Sequence, residues 1–166
     1  MKPYIEKALA IELDPKQSDT FRAFMADYYE GNILEILAEY GTNDKILSTV
    51  RAEIWQALAP KDRMVFGIME LIGAIMWGGL MGALATSDSQ RIQRFQEAIG
   101  VSGSEFLKER FDEALRLFET KRLFGIIRRP TQDAGTIAKI EAIGEDIDNW
   151  EYEDVEKMYY QLASQK

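Results

Sequence analysis

The chain has 166 residues, of which 46% are apolar and 29% are charged, and it contains no cysteine and no histidine. Its length predicts a single domain over residues 1–166, with allowance for a few mobile residues at the end. A chain this long buries about 70% of its extended surface, so it needs no disulfide or metal to hold a core. The missing residue types exclude disulfides, cysteine nucleophiles, histidine-based triads and zinc sites with thiolate or imidazole ligands.

The net charge is −8, from 28 acidic and 20 basic residues, which argues against a protein that coats nucleic acid regardless of sequence. The charges are unevenly distributed along the chain. Residues 108–129 have an excess of basic side chains, and residues 130–166 form the most acidic part. We expect these two segments to attract each other within one fold. Because the first residues lack the apolar core of a secretory signal and cysteine is absent, we expect a cytoplasmic protein.

Apolar residues at helical spacing and capping signals recur along the chain, and they predict an all-α fold of about eight or nine helices. The first helix is expected to end before Pro15, and the second to begin after an N-cap at Ser18. A break at Gly31-Asn32 is expected to separate the second helix from a third, which ends at Gly41. A fourth helix is expected over residues 44–58.

Two capping boxes predict helix starts in the middle of the chain, at Ser87–Gln90 and at Ser102–Glu105. The helix after the first box is expected to end at Gly100. A short extended piece is expected at residues 126–129, followed by a short helix that ends at Gly144 and then by a last helix.

Residues 64–86 are almost entirely apolar, with Glu70 as their one charged residue. The segment is long enough to cross a membrane, but a carboxylate inside a span costs about 2.5–3.5 kcal/mol. We therefore expect a glycine-rich central helix over about residues 61–86, around which the other helices pack. The residues that characterise this central helix are Glu70, Trp77, Gly78 and Gly82.

Two features of the central segment stay open. It is either one continuous helix or two shorter buried helices with a break at Gly78-Gly79. The carboxylate of Glu70 needs a basic partner or a place near a helix end. We expect that partner to be Arg63 or a base from residues 108–129.

No motif for catalysis or cofactor binding is present. The chain has no glycine-rich loop of the kinds that cradle phosphate. The acidic run over residues 145–154 lacks the glycine turn and the ligand spacing of a calcium loop, and we interpret it as a solvated face. We expect a protein that is not an enzyme, with no cofactor and no metal.

Two groups of residues are candidates for partner binding. Four bases surround an apolar stretch at a predicted helix end, where they could bind carboxylate or phosphate, or simply complement the helix dipole. These bases are Lys121, Arg122, Arg128 and Arg129. Trp150, among acidic neighbours, is either an exposed interface anchor or a hydrophobic staple for the last helix.

The sequence thus favours a non-catalytic protein–protein interaction module, such as an adaptor, inhibitor or assembly subunit, that uses a helical surface. One alternative is a subunit of a nucleoprotein complex that contacts nucleic acid through residues 108–129. Another is a membrane-active protein that acts through residues 64–86. A carboxylate-based enzyme is the least favoured reading, and a homo-oligomer is compatible with the sequence.

Overall fold

The computed structural model describes the backbone of residues 1–123 and 127–165, and the side chains of this part except those of residues 120–130. Nine α-helices lie within the described residues, which confirms the all-α class. The helices are α1 (Pro3–Leu9), α2 (Phe21–Tyr28), α3 (Leu34–Tyr40), α4 (Asp44–Ala57), α5 (Pro60–Thr86), α6 (Ser89–Ser102), α7 (Glu105–Phe118), α8 (Ala134–Asp148) and α9 (Glu153–Ser164).

A short antiparallel hairpin connects α7 to α8. Its strands are β1 (Glu119–Leu123) and β2 (Ile127–Pro130), and their register places Leu123 opposite Ile127. The extended piece predicted at residues 126–129 is confirmed from residue 127 onward, and residue 126 lies outside the described part of the chain.

Side chains cap the helix starts, but both predicted capping boxes are displaced: the cap of α6 is Asp88 and not Ser87, and the cap of α7 is Ser104 and not Ser102. Asn43, Asp88 and Ser104 accept hydrogen bonds from the free amides in the first turns of α4, α6 and α7. The cap of α2 is Thr20, which accepts from the Ala23 amide at 3.0 Å, and not Ser18 as predicted. Ser18 instead follows a short 3₁₀ turn.

The predicted helix break at Gly31-Asn32 is wrong. The chain continues from α2 into α3 through a π-helical turn over Tyr29–Ile33. Tyr29 and Ile33 are both buried, and the extra residue of a π-turn allows both to face the core without ending the helix.

Two other glycines that were predicted to end helices lie inside them. α6 continues past Gly100 to Ser102, and Gly103 ends it in the left-handed conformation with φ 65°. Gly144 lies within α8, where a side chain would place its Cβ only 2.8 Å from the Cβ of Leu80. Gly144 therefore permits close packing of α8 on α5.

α5 is the central helix, as predicted, and packs most extensively against α6 and α8. Its residues from Met64 to Ile72 are all buried. Within the described residues it is the one helix long and apolar enough to cross a membrane, a test that a buried core helix of this length also passes. In the most apolar window of α5, 61% of the residues are buried inside the protein.

The break considered at Gly78-Gly79 is present. Gly79 adopts φ 69° and ψ 171°, which interrupts α5 and separates a long first part from a short second part. The amide of Leu80 donates a hydrogen bond of 2.9 Å to the carboxylate of Glu141 on α8. Glu141 thus caps the second part of α5 from a neighbouring helix, because no side chain of α5 does so.

Substitution at the break has a predictable effect on stability. In Gly79→Ala, the new Cβ would overlap the Glu141 carboxylate and the residue would be held at positive φ. We expect the free energy of unfolding to fall by about 1–3 kcal/mol, measured by urea denaturation. The control is Gly82→Ala, where a Cβ meets open space and a helix-favouring residue should preserve or raise stability. Equal stability of both variants would contradict a strained break at Gly79.

Stability should also fall at alkaline pH. Burial raises the pKa of Tyr28, Tyr29 and Tyr152 above the ordinary value of 10.0. Above pH 10 the unfolded chain loses these protons while the folded chain retains them, so the free energy of unfolding decreases as the pH rises. Each group contributes a slope of up to about 1.4 kcal/mol per pH unit, measurable by urea denaturation at several pH values.

The matched variant is Tyr28→Phe. The hydroxyl of Tyr28 has no hydrogen-bond partner among the described residues, so its removal should change stability little at neutral pH. Above pH 10, the free energy of unfolding should fall less steeply with pH in this variant, because Tyr28 no longer contributes a proton. A slope that is unchanged in this variant would contradict the assignment to Tyr28.

Candidate binding groove at the central helix

The single charged side chain of the apolar part of α5 lies in a cluster of three arginines. Glu70 is fully buried, and its Oε1 is 3.1 Å from Arg91 Nε and 3.4 Å from Arg51 Nε. Arg94 approaches both carboxylate oxygens at 3.3 Å. The cluster joins α5 to α4 through Arg51 and to α6 through the other two arginines.

Helical spacing explains how α6 supplies two of these arginines. Arg91 and Arg94 lie three residues apart and therefore share one face of the helix. The same face carries Phe95 and Ala98, which are buried against the core. An extension of the apolar stripe of α6 toward its N-terminus would have predicted that both arginines point inward.

The prediction that Arg63 pairs with Glu70 is wrong. The bases of residues 108–129 whose side chains the structure describes do not pair with Glu70 either, and the side chains of the other four lie outside the described residues. Arg63 does not contact Glu70 and instead donates hydrogen bonds to the carbonyl oxygens of Leu58 and Gln56 at the end of α4. Arg63 is attracted by the free carbonyls at that helix end, a short-range role that the sequence did not distinguish from pairing within the core.

The cluster has more positive than negative charge. Three guanidiniums face one carboxylate, and Arg51 and Arg91 keep 20% and 24% of their side chains exposed. Their exposed parts line a groove of about 520 Å³ on the protein surface. Nearby, burial and the charge of Glu70 raise the pKa of Tyr29, against the opposing effect of the arginines.

The remaining wall of the groove is apolar. Leu34, Met76 and Trp77 line it, with Gly73 and Ala74. A Cβ at Gly73 would meet no atom within 4 Å, so the groove is open above this residue. The groove therefore combines guanidinium groups with an aromatic and a thioether side chain.

Trp77 lies on the central helix as predicted, but it is not part of the core. Its side chain is 94% exposed, and that of Met76 is 65% exposed. Gly78 is also exposed, and a Cβ at Gly82 would meet open space. Trp77 is exposed because α6 and α8 pack on other faces of α5 and because the helix is interrupted two residues later, at Gly79.

Trp150 has a packing role. It is half-buried and stacks on Phe106 of α7, with ring centroids 5.2 Å apart, and it also contacts Tyr152 at 4.9 Å. These ring contacts are with α7 and with the residue that precedes α9, so Trp150 packs the connection between α8 and α9 against α7. The side chains of the four other binding candidates lie outside the described residues. They are Lys121, Arg122, Arg128 and Arg129.

In the described part of the chain, no group of three or more acidic residues is arranged to hold a metal ion. Comparison of the chain with protein-family models, curated proteins and solved structures finds no match. The functional argument therefore rests on the groove itself.

The charge balance of the cluster predicts the effect of removing its carboxylate. Glu70→Gln keeps the shape of the side chain but leaves three guanidiniums partly buried without an anion. We expect a loss of about 3–5 kcal/mol in the free energy of unfolding, measured by urea denaturation.

The control removes a carboxylate from an exposed pair. Glu113 contacts Arg110 at 3.4 Å with both side chains about two-fifths exposed, so Glu113→Gln should change stability by less than about 1 kcal/mol. If Glu70→Gln were as stable as this control, the cluster would not be essential to the fold.

Proposed function

We propose that this protein is a non-catalytic protein–protein interaction module that binds its partner through the groove beside α5. The observation that carries the proposal is Trp77, which is almost fully exposed at the rim of a groove that also contains two guanidiniums. Such a module would act as an adaptor, an inhibitor or an assembly subunit.

The composition of the groove supports this proposal. Tryptophan, methionine and arginine are enriched at protein–protein interfaces, and tryptophan and arginine dominate their binding energy. Trp77 and Met76 are both exposed and line the groove together with Arg51 and Arg91. Exposed aromatic area of this kind is unfavourable in water, and a partner that covers it gains the corresponding free energy.

The ion pairs of Glu70 argue against a membrane-inserted α5. Movement of this helix into lipid would break the contacts of Glu70 with three arginines on α4 and α6. It would also expose a carboxylate to hydrocarbon, at considerable cost. A protein partner can bind the exposed face without any of these losses.

The test compares Trp77→Ser with a matched change at another exposed apolar residue. Leu9 on α1 is 48% exposed and lies outside the groove, so Leu9→Ser is the control. We expect Trp77→Ser to keep its melting temperature and to lose about 30-fold or more in capture of the native partner, as for an interface hot spot. Leu9→Ser should capture normally.

Capture is measured by quantitative mass spectrometry of proteins bound to the immobilised 166-residue chain. Light scattering of the purified protein shows whether a second copy is the partner, and flotation with anionic vesicles shows whether lipid is bound. Capture that is equal for wild type and Trp77→Ser would overturn the proposed function.

A further inference from the structure

The cluster around Glu70 has unused capacity to bind an anion. Three guanidiniums share one carboxylate, and each guanidinium offers five N–H donors. Arg51 Nε is buried inside the cluster, 3.4 Å from Glu70, so a ligand in the groove would meet only the exposed fifth of the Arg51 side chain. Arg91 donates to Glu70 through Nε. A second carboxylate in the groove would pair with the exposed parts of the Arg51 and Arg91 side chains.

The charges that line the groove also restrict where such a carboxylate can bind. Besides the cluster, Glu30 lines the groove and is exposed. The favourable position is therefore beside Arg51 and Arg91 and away from Glu30. With Glu30 counted, the three arginines exceed the carboxylates of the cluster and groove by one charge, in a chain whose net charge is −8.

The apolar lining of the groove is compatible with the apolar face of a partner helix. A volume of about 520 Å³ accommodates a few side chains and is too small for a folded domain. Its floor is formed by Gly73 and Ala74, where a partner backbone can approach closely. Leu34, Met76 and Trp77 would contact apolar side chains spaced three or four residues apart, as in other helix-in-groove complexes.

We propose that the groove binds an amphipathic helix of a partner protein that carries an aspartate or glutamate, whose carboxylate pairs with Arg51 and Arg91. The apolar side chains of that helix contact Met76 and Trp77. This inference rests on the proposed function, since it identifies the chemistry of the partner at the same groove.

The probe is a displayed library of helical peptides of about 18 residues, sorted on the purified protein. Binders are retained only if they fail to bind Trp77→Ser. We expect these binders to combine apolar residues at helical spacing with an enriched aspartate or glutamate. The same sort on Arg51→Gln or Arg91→Gln should keep the apolar pattern and lose the acidic enrichment. Either variant leaves two guanidiniums on Glu70, and its melting temperature verifies folding.

A selected peptide is then synthesised with its acidic residue and with the corresponding amide. The amide peptide should bind the wild-type protein about tenfold more weakly than the acidic peptide does. On Arg51→Gln, the two peptides should bind with nearly equal affinity. Arg110→Gln, an exposed arginine outside the groove, is the control and should behave as wild type.

The outcomes separate the two proposals. Trp77-dependent peptides without acidic enrichment would overturn the inference about the carboxylate and leave the proposed function intact. Absence of any Trp77-dependent peptide would overturn this inference, and equal capture of the native partner by Trp77→Ser would overturn the proposed function. Trp77-dependent binding to phosphatidylserine vesicles, with no Trp77-dependent peptide, would contradict both proposals and identify a lipid surface.

Discussion

One buried carboxylate determines how the centre of this bundle is arranged. α5 is apolar on nearly every face, and Glu70 lies fully buried within it. A charge in that position requires paired charges with good geometry, and these come from α4 and α6. Arg51, Arg91 and Arg94 therefore tie three helices to one point. Buried ion pairs contribute little net stability compared with apolar packing, but loss of one partner leaves an uncompensated buried charge, so other placements of these three helices are disfavoured.

The break at Gly79 sets where the central helix changes direction and what it leaves exposed. Glu141 on α8 satisfies the amide of Leu80 that the break frees, and Gly144 allows α8 to approach Leu80 closely. The break is thus supported by a neighbouring helix through both a hydrogen bond and close packing. Trp77 lies two residues before it and remains uncovered. The exposed rim of the groove follows from this local geometry.

Local signals predicted much of the fold, and tertiary packing decided the rest. The bounds of α4 and the start of α5 at Pro60 depend on caps and on proline chemistry that act within one turn. Gly31, Gly100 and Gly144 were read as helix ends, because glycine is a helix terminator when nothing opposes it. The helical backbone nevertheless continues through each of them. Gly31 and Gly100 are themselves exposed, but nearby residues such as Ile33 and Ile99 are buried in the core. Gly144 in particular is needed for contact with a residue far away in sequence.

The site could be predicted only in part for the same reason. A lone carboxylate in an apolar segment indicated that Glu70 needs a partner, but helix packing chose Arg51, Arg91 and Arg94, which are spread over two other helices. The exposure of Trp77 depends on which faces of α5 the other helices cover, and no periodicity within 64–86 reveals that.

The groove connects the interior of the protein to its surface. Arg51 and Arg91 hold Glu70 in the core and also line the groove, so one set of guanidiniums serves both the fold and the proposed interface. An anionic group bound beside them would reduce the excess of positive charge that the fold itself creates. Since a ligand that binds only the native state stabilises it, recognition at this groove and stability of the bundle would be linked. The linkage acts through Glu70, because that carboxylate fixes the position of both arginines.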